Sequence, residues 1–397
     1  MNRDICREKS LCMGCTACKN ACPAHCIEMK EDFEGFQYPE VDKTKCLDCG
    51  LCEKVCPVLN PPRQYSEEIQ AYAVRTIQED VLRSSTSGGF VTPLADWVLN
   101  QGGVLCAATY LQDFSVAHII IDKAKMDLEL PRIRGSKYVQ SDLNRCYLDI
   151  KQYLEQEKMV CFVGTTCQVN GLKSFLRREY DNLITVDLVC HGTPSPKLWR
   201  KYLDEKQIQY GAKVVGAAFR NKTYGYHSHT MRLSFENGKE YYGSGRIDAM
   251  MKSFMSEIAS RPICYQCPFK TYHRCSDFTV FDCWHADMII QNLKDDDKGF
   301  TNLFIHSEKG RLLFEEIKDR YISYPVNVED AIKYDGKMVL KSATPHARRG
   351  EFFVGMDQEP LADHIQNFIP IKVSDHLIER MKSLLYKLGI LKLINKK

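Results

Sequence analysis

From about Arg63 onward, the chain alternates short apolar runs with segments whose apolar residues recur at helical spacing. Runs rich in Val, Ile and Ala predict strands over residues 71–75, 104–110, 116–122, 159–164 and 183–189. Helical spacing predicts one helix over residues 90–101 and another from Cys167 to about Arg178. The succession of strand, helix and strand predicts a parallel βαβ unit with a right-handed crossover, and therefore an α/β domain.

Two further segments have recognisable patterns. Residues 214–242 predict an antiparallel hairpin closed by Glu236-Asn237-Gly238. Residues 371–397 predict an amphipathic helix with a basic end. Such a helix could lie on a membrane surface. Packing on its own domain is favoured, because amphipathic helices of globular proteins usually bury their apolar face in this way.

The first 62 residues are dominated by a repeated four-cysteine run. Each run reads C-x2-C-x2-C-x3-C-P, and the second begins 34 positions after the first. This is the bacterial signature for binding 4Fe-4S clusters. The cysteines are Cys12, Cys15, Cys18 and Cys22 before Pro23, then Cys46, Cys49, Cys52 and Cys56 before Pro57. Two runs predict two clusters, and therefore a protein that transfers single electrons.

The spacing also predicts how the ligands are shared. A tight loop can supply three thiolates to one cluster, and in two-cluster ferredoxins the fourth cysteine of each run serves the other cluster. We therefore assign Cys12, Cys15, Cys18 and Cys56 to one cluster, and Cys46, Cys49, Cys52 and Cys22 to the other. Zinc sites typically pair two CxxC units, so a doubled run with two prolines matches zinc poorly, and disulfides are the other alternative.

Length and composition place this motif in a larger protein. The 397 residues allow several domains, and Asn60-Pro61-Pro62 is typical of a stiff linker. We expect a domain over residues 1–62, a second over 63–370 and the helix over 371–397, with separate cores in the first two. The 34-residue repeat is expected to form two similar halves of an α+β, ferredoxin-like domain.

Charge and cysteine usage exclude several classes of protein. The net charge of +3 has no basic block, so we expect no nucleic-acid partner. No run of 18 apolar residues predicts a transmembrane segment, and no signal peptide is recognised. The 19 cysteines, if they bind clusters, must remain reduced, which favours the cytoplasm.

Four cysteines beyond the linker are placed for a third cluster. Cys167 falls at a strand-to-helix turn, where the helix dipole stabilises a thiolate. Cys190 ends the next strand, so the two sulfurs could converge at one edge of a parallel sheet. Cys264 and Cys267 form a CxxC pair, and the four together predict a third 4Fe-4S cluster. Two alternatives remain open: zinc could bind the same four cysteines, or Cys275 or Cys283 could replace one of them. Cys106 and Cys161 are expected in the core.

These motifs resemble a known family, the beta subunits of coenzyme F420 (deazaflavin) hydrogenases and dehydrogenases, in the form with a fused two-cluster ferredoxin domain. The resemblance runs in family order from about residue 10 to about residue 310. Besides the cysteines, it is carried by Ser87-Gly88-Gly89, by residues 135–141, 164–168 and 187–195, by Phe219-Arg220-Asn221-Lys222 and by Ser276-Asp277-Phe278-Thr279.

The resemblance implies a larger α/β flavin-binding domain that holds FAD beside a 4Fe-4S cluster. Ser84–Gly89 independently suggests a phosphate-binding loop before a helix, although a simple capped loop is the alternative. Lys137 could pair with a pyrophosphate or the flavin ring, or be a surface lysine. The implied cofactor-binding residues are Ser87, Gly88, Gly89, Ser136 and Lys137.

The implied function is that of an oxidoreductase in which a soluble donor or redox partner protein passes electrons through the clusters and FAD to a small organic acceptor. Catalytic residues are not identified, and His191 and His227 are better interpreted as structural than as proton donors. The family's Gly-Asp-x-Trp-Gly motif is replaced by residues 281–285, and Thr166 stands where proline is common, so the acceptor need not be the deazaflavin. A non-catalytic electron-transfer subunit and a regulatory iron–sulfur protein are the alternatives.

Overall fold

The computed structural model describes residues 8–65 and 68–391. The strands within these residues are β1 (Ile27–Glu31), β2 (Gln37–Val41), β3 (Gln70–Thr76), β4 (Val104–Tyr110), β5 (Val116–Ile121), β6 (Val160–Thr165), β7 (Leu183–Leu188), β8 (Val214–Asn221), β9 (Thr230–Phe235), β10 (Glu240–Ser244), β11 (Phe278–Cys283), β12 (Phe300–Ile305) and β13 (Tyr321–Pro325). The α-helices are α1 (Ala17–Ala21), α2 (Leu51–Lys54), α3 (Glu79–Ser84), α4 (Val91–Asn100), α5 (Met126–Ile133), α6 (Cys146–Glu155), α7 (Thr166–Leu176), α8 (Pro196–Tyr210), α9 (Ala249–Met255), α10 (Ala286–Ile289), α11 (Glu308–Ile317), α12 (Val328–Tyr334), α13 (Lys337–Leu340), α14 (Arg349–Gly355), α15 (Leu361–Phe368) and α16 (Val373–Lys387).

The 34-residue repeat of the N-terminal segment reappears in its backbone. Helices α1 and α2 begin 34 residues apart, at Ala17 and Leu51, and each follows a left-handed residue, Thr16 or Gly50. A second left-handed position precedes each, at Gly14 (φ +67°) and Asp48 (φ +50°). Two such positions in a few residues coil the chain tightly, so that both cysteine runs form the same loop. The antiparallel strands β1 and β2 lie between the two loops.

The larger segment is built on an eight-stranded mixed sheet with strand order β13-β3-β12-β11-β7-β6-β4-β5. The five strands predicted from the apolar runs are confirmed to within one or two residues as β3 to β7. Strands β6 and β7 are parallel neighbours joined through α7, as the βαβ prediction requires. Because β12 is antiparallel to both β3 and β11, strands β3, β11, β7, β6 and β4 all point the same way. Their carboxyl ends share one edge of the sheet, where α/β proteins usually bind ligands.

The hairpin predicted over residues 214–242 contains three strands instead of two. The turn predicted at Glu236-Asn237-Gly238 joins β9 to β10, and Gly238 N–H donates to Phe235 O (2.9 Å). Strand β8 pairs with β9, but a 3-10 turn at Lys222–Tyr224 interrupts the chain between them. The interruption has no strong turn signature apart from Gly225. The prediction from the sequence pattern therefore treated β8 and β9 as a single strand.

The N-terminal segment does not have the separate core that its linker suggested. Phe36 and Tyr38 pack in one apolar cluster with Trp199 of α8, and Ala17 and Val55 pack in another with Tyr147 and other residues of the larger segment. A segment of about 60 residues buries only about 60% of the surface that its unfolded chain exposes, so its stability by itself is marginal. The two segments are therefore joined by shared cores.

Polar contacts hold the β1–β2 loop against the larger segment. Arg349 makes a bidentate ion pair with Glu34 (2.8 and 2.6 Å), and the Ser195 hydroxyl donates to Glu34 O. Gly35 (φ +90°) has no room for a side chain, because a Cβ there would lie 2.2 Å from Lys197 Cβ. The loop is thus fitted closely into the larger segment.

Helix α16 packs on the larger segment, as favoured, but through the face that carries Lys382 and Glu379 instead of its apolar stripe. Lys382 Nζ donates to Thr230 Oγ1 (2.7 Å), and Ser244 N–H donates to Glu379 Oε1 (3.1 Å). The apolar face that was expected to be covered is exposed. Residues 392–397 of the predicted helix lie outside the described residues. None of the helices described is both long and apolar enough to cross a bilayer.

Candidate iron–sulfur and flavin sites

The structure brings four N-terminal cysteines together in the crossed arrangement that the motif predicts. Thiolates at Cys12, Cys15 and Cys56 lie close enough to Cys18 to raise its pKa, although burial raises it more. Burial also raises the pKa of Cys15 to about 12. We call Cys12, Cys15, Cys18 and Cys56 the inner group.

The other four motif cysteines line a separate cavity. Cys22, Cys46, Cys49 and Cys52, here called the outer group, surround about 400 Å³ of empty space that includes the mouth open to solvent. Cys26 lines the same cavity, and its Sγ lies 3.4 Å from Cys22 Sγ. Cys26 was missed because it stands outside the motif spacing. Its position four residues after Cys22 was the available signal.

Both loops direct backbone N–H groups towards sulfur. Gly14 N–H donates to Cys12 Sγ (3.4 Å), and Asp48 N–H donates to Cys46 Sγ at the same distance. These residues are the repeated left-handed positions, which turn the amide back onto the preceding cysteine. Such hydrogen bonds stabilise negative charge on a thiolate and tune the potential of a bound cluster.

A third cavity holds the four cysteines predicted beyond the linker. Cys167 begins α7 after β6, Cys190 follows the adjacent β7, and Cys264 and Cys267 come from the turn Pro262–Gln266 and the position after it. All four line one cavity with about 530 Å³ of empty space, its open mouth included. We call them the third group. The alternatives Cys275 and Cys283 are buried in other apolar clusters.

Polar and cationic groups surround the third group. Thr165 Oγ1 lies 3.1 Å from Cys167 Sγ, and Lys270 Nζ donates to Cys190 O (2.5 Å). Arg274 donates to Thr166 Oγ1 (2.5 Å), which orders the start of α7. Burial raises the pKa of Cys167, and it raises the pKa of Cys264 to about 12.

The donor chemistry of all three groups fits iron–sulfur clusters. Buried thiols with raised pKa values ionise only if a nearby positive charge compensates, which bound iron supplies. Four thiolates are the usual ligands of a 4Fe-4S cluster. Within residues 8–65 and 68–391, no three or more His, Cys, Asp or Glu side chains are arranged to hold a single metal ion.

Arg261 connects the inner and third groups, and sequence analysis did not identify it. Its side chain is 1% exposed and lines the third cavity, while its Nε donates to Cys12 O (2.7 Å). Its other nitrogens donate to Gln140 Oε1 (3.0 Å) and Gln37 O (2.9 Å). These partners are neutral, and the guanidinium lowers the pKa of Cys15 against the larger effect of burial.

Helix α7 forms a second connection. Gly171 lies on this helix, one turn beyond Cys167, and an added Cβ would approach Cys15 Cβ to 2.9 Å. The helix that carries Cys167 near its start therefore packs directly on the loop that carries Cys15. The inner and third groups are neighbours across this contact.

The segments predicted to bind FAD lie side by side. Ser136 N–H donates to Thr86 Oγ1 (2.8 Å), which joins residues 135–137 to the Ser84–Gly89 loop at the end of α3, beside the carboxyl end of β3. Gly88 N–H donates to Thr301 Oγ1 (2.9 Å), which is 2.8 Å from Ser87 Oγ. Gly89 has φ +76° and leads into α4.

Lys137 makes hydrogen bonds that do not fit its predicted role as a ligand of the FAD pyrophosphate or flavin ring. Its Nζ donates to the carbonyls of Ile133, Arg134 and Gly135 (3.0, 3.3 and 3.2 Å) at the end of α5. An ammonium has three donors, so these bonds leave none for a phosphate. In this structure Lys137 stabilises the end of a helix.

An aromatic and cationic group adjoins the predicted flavin loop. Trp284, after β11, stacks on Tyr226 (centroids 4.3 Å apart), and Arg220 lies 4.3 Å from the Trp284 ring centroid. Arg220 Nη1 donates to Asp282 Oδ2 (2.5 Å), whereas its buried Nη2 has no partner among the described residues. Lys222 Nζ donates to Ser87 O (2.7 Å), which ties this group to the loop.

The two candidate histidines make structural ion-pair contacts. His227 Nε2 lies 2.8 Å from Asp295 Oδ2, and His191 Nε2 contacts Glu257. His191 also lines the third cavity. Both side chains are thus held in place by a carboxylate, and their structural role stays a prediction.

Known families match both the N-terminal segment and part of the larger segment. Residues 157–328 match the family defined by the C terminus of the beta subunit of coenzyme F420 hydrogenase/dehydrogenase, and residues 11–60 match a 4Fe-4S dicluster domain. The predicted family resemblance is confirmed by these matches. No curated protein matched the sequence. Among solved structures, the chain is similar to a chain of the F420-reducing [NiFe] hydrogenase complex from Methanosarcina barkeri, with 13% identity, a TM-score of 0.44, and coverage of 78% of this chain and 94% of that one.

Proposed function

We propose that this chain is an iron–sulfur flavoprotein oxidoreductase. It matches the C-terminal domain of the coenzyme F420 hydrogenase/dehydrogenase beta-subunit family and a 4Fe-4S dicluster domain. Electrons from a soluble donor or redox partner protein would enter at the dicluster domain and reach a small organic acceptor at the larger domain. The observation that carries this proposal is the gathering of the third group in one cavity beside the inner group.

The cysteines act as ligands in this proposal. The inner and outer groups would hold the two clusters of the dicluster domain, and Cys167, Cys190, Cys264 and Cys267 would hold a third. The inner group adjoins the outer group through Cys18 and the third group through α7, so the three groups would pass electrons in series. Arg261 and the Gly14 and Asp48 amides place positive charge or dipoles against the sulfurs, which favours the reduced, more negative state.

The larger domain would bind FAD where its two candidate segments meet. Bound FAD exchanges two electrons with an organic molecule and one with a cluster. Ser87, Gly88, Gly89 and Ser136 line this junction after β3, and Arg220 adds a buried N–H donor without a partner among the described residues. A ligand between the Ser84–Gly89 loop and Trp284 would lie at the carboxyl edge shared by β3 and β11, which are separated by β12 alone.

The test is a count of iron and released FAD in protein purified without oxygen. We expect about twelve irons and one FAD per chain. Cys264→Ala should lower the iron by about four, whereas Cys275→Ala, which changes a buried cysteine in a neighbouring apolar cluster, should leave it unchanged. About eight irons without flavin, or unchanged iron in Cys264→Ala, would contradict the proposal. Bound FAD that reduces no small acceptor would favour a non-catalytic electron-transfer subunit.

A further inference from the structure

Helix α16 carries an exposed apolar stripe along its whole length. Its members recur every three or four residues, as one face of a helix requires. Each side chain is between 41% and 86% exposed, and they are Val373, Leu377, Met381, Leu384 and Leu388. Single exposed apolar side chains are common in proteins, but five in one continuous line are not.

The helix is attached to the domain by the opposite face. Lys382 is 2% exposed, donates to Thr230 and lies 4.7 Å from the centroid of the Tyr224 ring. Glu379 accepts from Ser244 N–H, and the Tyr386 ring packs edge-on against Tyr224. A helix held by polar contacts, with its apolar stripe in water, is the reverse of the usual arrangement. The stripe is therefore available to another surface.

The charges around the stripe indicate which kind of surface the stripe binds. Arg380 and Lys387 are exposed, and helical geometry places both along one edge of the stripe. The two acidic residues of the segment, Asp375 and Glu379, lie away from the stripe and are half-buried. Residues 371–397 contain seven Lys or Arg against those two acids. An apolar stripe with a cationic edge matches an anionic lipid surface.

We propose that α16 binds the surface of an anionic bilayer, lying in its interfacial plane with the stripe inserted among the lipids. This inference does not depend on the proposed redox function. A second copy of the chain fits less well, because the 15-residue helix offers about two heptads, short of the three or four typical of a coiled coil. Pairing two stripes would also bring the cationic edges near each other.

Membrane binding would bring the bilayer close to the aromatic and cationic group around Trp284. Burial is the main cause that lowers the pKa of His229, Arg220 lowers it further, and the Lys382 ammonium is near enough to contribute. The His229 ring lies 4.8 Å from Trp284, in the aromatic group beside the flavin loop. The inner face of α16 and the aromatic group around Trp284 therefore share His229 as a neighbour.

The proposal is tested by sedimenting the full, cluster-containing chain with vesicles. One vesicle set contains phosphatidylcholine alone, and the other contains equal parts of phosphatidylcholine and phosphatidylserine. We expect binding to the second set that weakens with added salt. Leu384→Glu should weaken it about tenfold or more, because a charge replaces an inserted leucine. Ile208→Glu, at an 81% exposed position on α8, is the matched control and should bind like the wild type.

A variant without two of the cationic charges separates the electrostatic contribution to vesicle binding from the apolar one. Arg380→Gln with Lys387→Gln should abolish most of the preference for phosphatidylserine, about thirtyfold for two charges near the surface. Equal sedimentation of the wild type and Leu384→Glu would overturn the proposal. So would a lack of wild-type binding combined with a concentration-dependent dimer that Leu384→Glu dissociates, since the stripe would then join two copies.

Discussion

The inner and outer cysteine groups arise from the same motif but have different surroundings. The outer group lies near solvent: Cys49 is exposed, and the adjacent Leu47 is 68% exposed. The inner group faces the larger domain, where Arg261 donates to Cys12 O and Gly171 of α7 packs on Cys15. Identical spacing therefore yields two sites with different surroundings.

The difference suggests a direction for electron transfer. The exposed Cys49 gives a partner protein access to the outer group, whereas the four inner cysteines are half-buried and face the larger domain, to which they would pass electrons. In the proposed function, the outer group receives electrons and the inner group passes them to the third group. The comparison would fail if the two groups responded alike to equivalent substitutions.

The largest expected difference between the inner and outer groups is in how much each contributes to the stability of the chain. Cys18→Ala and Cys49→Ala should each remove about four irons. Cys18→Ala should leave the larger domain folded but lower the free energy of unfolding of the whole chain by at least about 2 kcal/mol, because the inner group lies where the two domains share cores. Cys49→Ala should lower it much less. Iron analysis and thermal unfolding of both variants, prepared without oxygen, measure these effects, and equal losses of stability would contradict the comparison.

A smaller effect concerns the charge beside the inner group. Arg261→Met should make the reduction potential of one cluster more negative, since a cation no longer offsets the added electron. Loss of three hydrogen bonds should also cost about 1–3 kcal/mol of stability.

Arg261→Lys serves as the control for charge, because it keeps the cation while losing the geometry of the guanidinium. Its potential should stay close to that of the wild type even if its stability falls. Redox titration followed by electron paramagnetic resonance measures both variants. Equal potentials in the Met and Lys variants would show that Arg261 is purely structural.

The smallest expected effect tests the outer group as a docking point. Leu47→Ala should change the free energy of unfolding by less than about 0.5 kcal/mol and leave the iron content unchanged, since the side chain is mostly exposed. It should nevertheless slow reduction by a ferredoxin-type donor severalfold in stopped-flow measurements. Leu128→Ala, at an equally exposed position on α5 (68%), is the matched control. Equal rates for the two variants would place the partner contact elsewhere.

Local patterns predicted the elements of the fold and the grouping of the cysteines. Strands β3 to β7 follow from their apolar runs, and Cys167 and Cys190 come together because β6 and β7 are adjacent and parallel. The separation of the cores was predicted incorrectly, because the Asn60-Pro61-Pro62 stretch says nothing about Phe36 and Tyr38 packing against Trp199. Lys137 was misjudged for a similar reason: its carbonyl partners depend on where α5 ends.

The sequence by itself determined the dicluster motif, the crossed grouping of its cysteines and the alternating strands and helices, because spacing and periodicity are properties of neighbouring residues. Only the tertiary structure placed Arg261 against Cys12, 249 residues away, and Cys26 in the outer cavity. It also decided which face of α16 meets the domain. The amphipathic pattern specifies two faces, but the contacts of Lys382 and Glu379 with β9 and β10 select the polar one.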